Sequence, residues 1–257
     1  MILRPEVLHT AIRAARAAGS IHQSYREREL NVRTKTTFSD LVTEVDALAE
    51  AEIRRVIHAV FPDHAILGEE EGLTGDAQER WIVDPLDGTV NYAHGFPMYC
   101  ASIAYQHAGE RMVGVVYDPT RDELFTAVRG QGALLNGRPL RVSGTPELRT
   151  PALVATGFPY DVAENPANLE YVRRALALGV PLRRPGAAAL DLCYVAAGRL
   201  DAYWELDLKP WDAAAGSLIL EEAGGRVTDL EGHATPYGRM IVATNGLLHD
   251  ELLRMLR

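Results

Sequence analysis

Apolar residues recur at helical spacing in the first stretch of the chain. Leu8, Ala11, Ile12, Ala15, Ala18 and Tyr25 fall near one face of a helix, and Pro5 suits a first helical position. A polar loop from Asn31 to Asp40, containing Lys35, precedes a second helix from about Thr43 to Val60. Its buried stripe is Val45, Leu48, Ala49, Ile53, Val56, Ile57 and Val60, and Pro62 ends it. Short apolar runs follow: Ala65-Ile66-Leu67 leads into Gly68-Glu69-Glu70-Glu71, and Trp81-Ile82-Val83 leads into Asp84-Pro85. From Tyr99 to Arg141, runs rich in Val, Tyr, Ile and Phe are punctuated by Gly109-Glu110, Asp118-Pro119 and Asn136-Gly137, which predicts two or three antiparallel strands.

After about Thr145 strands and helices alternate. Strands are expected at Leu153–Ala155, near Leu182, at Asp201–Trp204 and at Ile241–Ala243. Helices are expected at Asn165–Leu178, Ala187–Ala197, Pro210–Ala223 and Leu247–Leu256. The pattern divides the chain into an α+β lobe over residues 1–144 and a smaller α/β lobe over 145–257. With no internal repeat and no low-complexity linker, the lobes are expected to share a cleft and fold as one unit.

Composition narrows the function. In 257 residues, 47% are hydrophobic and 24% charged, a balance that fits a globular chain rather than a disordered one. The formal net charge is −9 and the basic residues form no long stripe, which argues against nucleic acid or a membrane surface as partner. No apolar stretch is long enough to span a bilayer, and the N-terminus lacks the pattern of a secretory signal. Cys100 and Cys193 are too few for a disulfide framework, so free thiols and a cytoplasmic location are expected.

Four acidic segments stand where strands end or helices begin. In Trp81-Ile-Val-Asp84-Pro-Leu-Asp87-Gly-Thr89, a strand delivers Asp84 at its end, where Pro85 forbids further pairing through its missing N–H. The turn then brings Asp87 back toward Asp84, so two hard oxygen donors can share an ion. The Leu86 carbonyl can add a third, Gly88 permits close backbone approach, and Thr89 can open a helix whose amides suit an anion. The ordinary reading is a turn with a helix cap. Gly68-Glu69-Glu70-Glu71-Gly72 sets three like charges side by side, which calls for a cation or full solvation. Lys209-Pro-Trp-Asp212 puts an acid in a first helical turn, where the helix dipole alone would explain it. Thr43 and Asp46 have the spacing of a capping box.

Together, and in this order, the four segments resemble the inositol monophosphatase family. That family is part of a wider group of lithium-sensitive Mg²⁺ phosphatases that includes the fructose-1,6-bisphosphatases. Asp84-Pro-Leu-Asp-Gly-Thr89 and Trp211-Asp-Ala-Ala-Ala-Gly216 match its two signature motifs, and the likeness runs from about Lys35 to Gly225. The resemblance implies a layered αβαβα sandwich of the sugar-phosphatase type, a homodimer, and a site between the lobes. It implies two or three Mg²⁺ ions, with Mn²⁺ as a substitute. Glu69, Asp84 and the Leu86 carbonyl would hold the first ion, and Asp84, Asp87 and Asp212 the second, with Glu69 assisting a weak third through water. Thr89 and Asp46 would activate the attacking water, with Glu69 counted in the catalytic set. Gly88 and Thr89 would bind phosphate through their amides. Asp87, Gly186, Ala187, Glu205 and Asp212 would complete the substrate site, with Lys35 and Glu70 as auxiliaries.

An all-oxygen donor set suits Mg²⁺, and no His/Cys cluster competes for a softer ion. His64, His94 and His107 read as structural or exposed. The implied reaction is hydrolysis of a small polyol phosphate, inositol 1-phosphate first, by water and without a covalent intermediate. Arg183-Arg-Pro-Gly-Ala-Ala-Ala189 departs from relatives that carry a serine in or beside the glycine, on the leaving-group side. Fructose-1,6-bisphosphate, histidinol phosphate and phosphoadenosine phosphate therefore remain alternative substrates. Two other classes remain open: a glycosidase using Glu69 and Asp84 as acid and base, and a non-catalytic acidic protein that binds cations or a partner.

Overall fold

The structure is a computed structural model that describes residues 5–28, 30–34, 41–75, 78–150, 152–159 and 166–257. Helix α1 (Pro5–Tyr25), the short paired strands β1 (Arg33–Thr34) and β2 (Leu41–Val42), and helix α2 (Glu44–His58) come first. An eight-stranded sheet follows. It is built from β3 (Ala65–Gly68), β4 (Gly72–Thr74), β5 (Glu79–Asp87), β6 (Cys100–His107), β7 (Glu110–Asp118), β8 (Glu123–Val128), β9 (Ala133–Leu135) and β10 (Arg138–Pro139), with the short helix α3 (Thr89–Ala93) after β5. The strand order is β10-β9-β8-β7-β6-β5-β3-β4.

The second half holds β11 (Val154–Thr156), α4 (Ala167–Ala177), β12 (Leu182–Arg183), α5 (Ala188–Ala196), β13 (Ala202–Leu206), α6 (Pro210–Glu222), β14 (Arg226–Thr228), β15 (Met240–Thr244) and α7 (His249–Leu256). Its five strands run β12-β11-β13-β15-β14. The first three are parallel, and β15 is antiparallel to both β13 and β14.

Burial explains the layers. Helices α1 and α2 turn an alanine- and isoleucine-rich face (Ala11, Ala15, Ala18, Ile53, Ile57) onto Trp81, Ile103 and Val115 of the large sheet. Helices α5 and α6 are apolar nearly all round, as a helix between two sheets must be. They fill the space between Ile82, Val116 and Phe125 of one sheet and Tyr203, Ile241 and Ala243 of the other. Helices α4 and α7 close the outer face of the small sheet. The result is the αβαβα sandwich. Its central spacing is tight: a Cβ on Gly114 of β7 would lie 2.7 Å from the Ala215 carbonyl of α6.

The structure amends several expectations. The antiparallel region between Tyr99 and Arg141 contains five strands, not two or three, because the turns at 119–122 and 129–132 are each followed by further pairing. Strand β5 does not stop at Pro85. It pairs Asp84 with Ser102 and Asp87 with Cys100, so three steps along β5 oppose two along β6, and Pro85 and Leu86 sit in a bulge. The missing Pro85 N–H costs no ladder bond there, because pairing with β3 ends at Val83. Strands β4 and β14, each three residues long, carry too little alternation to be read from sequence. Helix α4 begins at Ala167, and Asn165, its expected start, lies outside the described residues, as does Lys35. Cys100 and Cys193 are free and buried, and among the described residues no helix is long and apolar enough to cross a membrane.

Candidate active site

The bulge in β5 is the foundation of the site. Asp84 Oδ1 accepts the Leu86 amide at 3.0 Å, which tightens the turn. Beneath it, buried His22 of α1 lies 2.8 Å through Nε2 from the Pro85 carbonyl. Burial lowers the pKa of His22 to about 4, so the ring is neutral and donates this bond through its Nε2–H. Tyr92 donates to the His22 carbonyl at 2.7 Å, tying α3 to the same support. Gly88 follows with φ +91°, and a Cβ there would sit 2.8 Å from the Met98 carbonyl, so both conformation and space require glycine.

Thr89 opens α3 and turns its hydroxyl into the protein. Thr89 Oγ1 lies 2.9 Å from Asp46 Oδ1 and 2.9 Å from the Leu86 carbonyl. Asp46 is fully buried in the first turn of α2, and its Oδ2 accepts the amide and hydroxyl of Thr43, each at 2.8 Å. The capping box is therefore present, with one carboxylate oxygen of Asp46 capping the helix while the other faces Thr89.

The remaining acids arrive from four elements. Glu69 and Glu70 occupy the turn after β3, Asp212 the first turn of α6, and Glu205 the strand β13. Asp87 reaches across to α5, accepting the amides of Ala188 at 3.2 Å and Ala189 at 2.8 Å. Asp212 Oδ2 accepts the Lys209 amide at 2.6 Å, and Glu205 accepts the Tyr203 hydroxyl. Gly186 (φ +83°) and Ala187 form the entry to α5. The Asn91 side chain holds this entry through the Pro185 carbonyl at 2.9 Å and the Gly186 carbonyl at 3.2 Å. Ala187 has no side chain to cap α5, and the next two amides serve Asp87 instead.

These acids feel one another. Burial, and then the charges of Glu69, Asp87 and Asp212, push the Asp84 carboxyl well above the usual range. Burial raises Asp87 to about 6 against the downward pull of the α5 amides and the Cys100 thiol. Asp212 is raised by burial, with the Lys209 amide opposing and Glu69, Asp87 and Glu205 reinforcing. Glu205 keeps an edge in solvent, yet its enclosure raises it to about 7. Among the described residues, no three acids, histidines or cysteines close into a ready-made metal-ligand cluster. Asp84 and Asp212 each spend an oxygen on a backbone amide, and Asp87 spends both. The donor chemistry nevertheless fits a hard divalent cation: every candidate atom is a carboxylate or carbonyl oxygen, and the mutual repulsion is the kind such an ion relieves.

A pH dependence follows in chelator. An acid whose folded pKa is raised stabilises the fold fully below its unfolded pKa, and that contribution drains away as pH rises through the folded pKa. His22 and His249, both lowered to about 4, act oppositely, but only below their unfolded value of 6.5. Between pH 8 and 6.5 the acids act alone. Acidification over that interval should stabilise the metal-free protein by about 1 kcal/mol or more, roughly 2–4 °C in Tm. A melting midpoint that drops instead would mean that these carboxyls do not crowd one another.

Sequence reasoning misses three contributors. Glu50 reads as an ordinary helix-surface partner of Arg54 at i,i+4, yet it is fully buried and accepts the amides of Glu70 and Glu71. His22 gives no signal, because its partner lies 63 residues away. Asp191 reads as a first-turn acid of α5, but it is buried, and neither carboxylate oxygen has a hydrogen-bond partner among the described residues. Burial and the neighbouring charges of Glu205 and Asp87 hold its pKa well above the usual range. A lone acid inside the otherwise apolar run Ala188–Val195 is the available clue.

A sandwich of this layering, with acids from β5, α2, α6 and the β3 turn around one bulge, is the arrangement of a sugar-phosphatase-type fold. A family model for the inositol monophosphatase family matches residues 4–257, and the chain belongs to that family. It is 45% identical over 256 residues to a Nus factor SuhB of Haemophilus influenzae, covering 98% of this chain and 96% of the relative. The crystal structure of extragenic suppressor protein suhB from Bartonella henselae matches with a TM-score of 0.92 at 42% identity over 98% of each chain. Inositol monophosphatase from Anabaena (Nostoc) sp. PCC 7120 matches with a TM-score of 0.87 at 43% identity, over 98% of this chain and 95% of that one.

Proposed function

We propose that this chain is a cytoplasmic, homodimeric Mg²⁺-dependent phosphatase that hydrolyses small polyol phosphates, inositol 1-phosphate foremost. The observation that carries this reading is the 2.9 Å hydrogen bond from Thr89 to buried Asp46 beside the mutually repelling acids Asp84, Asp87 and Asp212. A hydroxyl so fixed can orient an incoming water and accept its proton as the hydroxyl's own proton passes to Asp46 Oδ1. Glu69, Asp84, the Leu86 carbonyl, Asp87 and Asp212 would hold the ions. When bound, Mg²⁺ supplies charge neutralisation for the phosphoryl oxygens and lowers the pKa of water. The amides of Gly88 and Thr89 would cradle the phosphate, and Glu205 would accept hydroxyls of the leaving group. A further solved relative supports a divalent ion: an IMPase/NADP phosphatase complexed with NADP and Ca²⁺, 27% identical with a TM-score of 0.85 over 99% of this chain and 97% of that one. A glycosidase reading gives the Thr89–Asp46 pair no task.

The test is phosphate release from inositol 1-phosphate, fructose-1,6-bisphosphate, histidinol phosphate, phosphoadenosine phosphate and para-nitrophenyl phosphate, with Mg²⁺ and with EDTA. Activity should need the ion and favour the polyol ester. Glu205→Gln should cost roughly tenfold in kcat/KM on inositol 1-phosphate and spare para-nitrophenyl phosphate, which offers no hydroxyls. Equal losses on both would mean that Glu205 serves only the fold. The 45% identity to a protein named a Nus factor supports a second reading, in which the chain acts through its surface. No release from any ester would favour it.

A further inference from the structure

We propose that Glu50, gripped by Arg54, is the positioning residue that aims Glu69 into the site; this rests on the reading of Glu69 as a metal ligand. Glu50 is wholly buried on α2. Its Oε2 accepts the Glu70 amide at 2.8 Å, and its Oε1 accepts the Glu71 amide at 3.1 Å. The same Oε1 accepts Arg54 Nε at 2.9 Å and Nη2 at 2.7 Å. Arg54 goes on to the Gly72 carbonyl at 3.0 Å, the Thr74 hydroxyl at 2.8 Å and the Glu71 carboxylate at 3.2 Å. On the other side of Glu69, a Cβ on Gly68 would run into the Glu50 carboxylate. Glu69 is thus fixed from both flanks: Gly68 presses against the carboxylate, and the next two amides hydrogen-bond to it.

The arrangement is costly if stability were its only purpose. A buried ion pair is often no better for stability than apolar residues of the same volume. What Glu50 adds is direction: a turn of three successive acids has no intrinsic reason to point the first of them at Asp84. Glu50 also lies one helical turn after Asp46, so it shares a face of α2 with it. One rigid helix therefore sets both the Thr89–Asp46 pair and the turn that carries Glu69.

Calorimetric Mg²⁺ titration of the full chain tests this, with melting curves and kinetics alongside. Glu50→Gln sets an NH₂ against one of the two amides while keeping an acceptor for the other, and Gly68→Ala displaces the carboxylate without removing it. Each should weaken Mg²⁺ binding roughly tenfold, the scale seen when groups that orient metal ligands are lost. kcat at saturating Mg²⁺ should stay within about twofold of the wild type. A lower Tm with unchanged Mg²⁺ affinity overturns the proposal while leaving the metal-site reading intact. A wild type that takes up no Mg²⁺ overturns both. If neither variant folds, hydrogen exchange on the wild type decides. The Glu70 and Glu71 amides should be equally protected in EDTA and in Mg²⁺, and protection that appears only with Mg²⁺ would make the clamp a consequence of binding.

Discussion

Replacing Asp84 with asparagine should abolish most activity while making the metal-free protein more stable. The two effects have one cause. Asp84 is crowded, buried at 2% exposure and facing the charges of Glu69, Asp87 and Asp212. The Asp84→Asn side chain keeps an oxygen for the Leu86 amide but removes the charge the cleft resists, so the fold should gain on the order of 1 kcal/mol or more in EDTA. The same change deletes the ligand expected to serve both main ions. kcat/KM should fall about 10³-fold, the scale of losing a principal electrostatic contributor. Mg²⁺, which should raise the wild-type Tm, should then hardly move it. Assays and paired melting curves in EDTA and Mg²⁺ separate this from misfolding, which would lower activity and stability together. Retained activity in a well-folded variant would remove Asp84 from the mechanism.

The second large effect concerns the water. Thr89→Ala should lower kcat by about 10²-fold with little change in KM, as for other positioned proton acceptors. It should also cost about 1 kcal/mol or more of stability, because buried Asp46 loses a donor, and Thr89→Ser should restore most of both. Asp46→Asn should lose both rate and stability. An amide in place of the carboxylate can satisfy Thr43 or face Thr89 with an acceptor, but not both. The cap contribution is about 1 kcal/mol. Because the two side chains act through one hydrogen bond, the double variant should be little slower than the worse single one. Fully additive rate losses would show that Thr89 and Asp46 act separately.

How much of this is legible in the sequence depends on how local each signal is. The 84–89 and 211–216 runs, the Thr43–Asp46 box and the all-apolar faces of α5 and α6 can be read because motif and periodicity lie within a dozen residues. The family resemblance then supplies the layering, which the structure bears out. The bulge at Pro85 reads as a strand end, because the absent N–H is visible in the sequence and the early end of the β3 partner is not. Parallel pairing of β3 with β5 and the reversal of β15 are long-range choices with no local mark. Glu50 and Asp191 are hidden by respectability: each sits where an acid on a solvated helix would also sit. Only burial distinguishes them.

The order of the layers also has a consequence for synthesis. The large sheet is complete in sequence by Pro139, but the face bearing Ile82, Val116 and Phe125 is covered by α5 and α6, which come last among its neighbours. The roughly eighty residues between Pro139 and Glu222 take about 4–16 s to translate. Throughout that interval the nascent chain carries an open apolar sheet, and Asp87 awaits the amides of Ala188 and Ala189. The site is therefore finished after translation has passed α6, and a ribosome paused before it holds a chain whose apolar sheet face is still open.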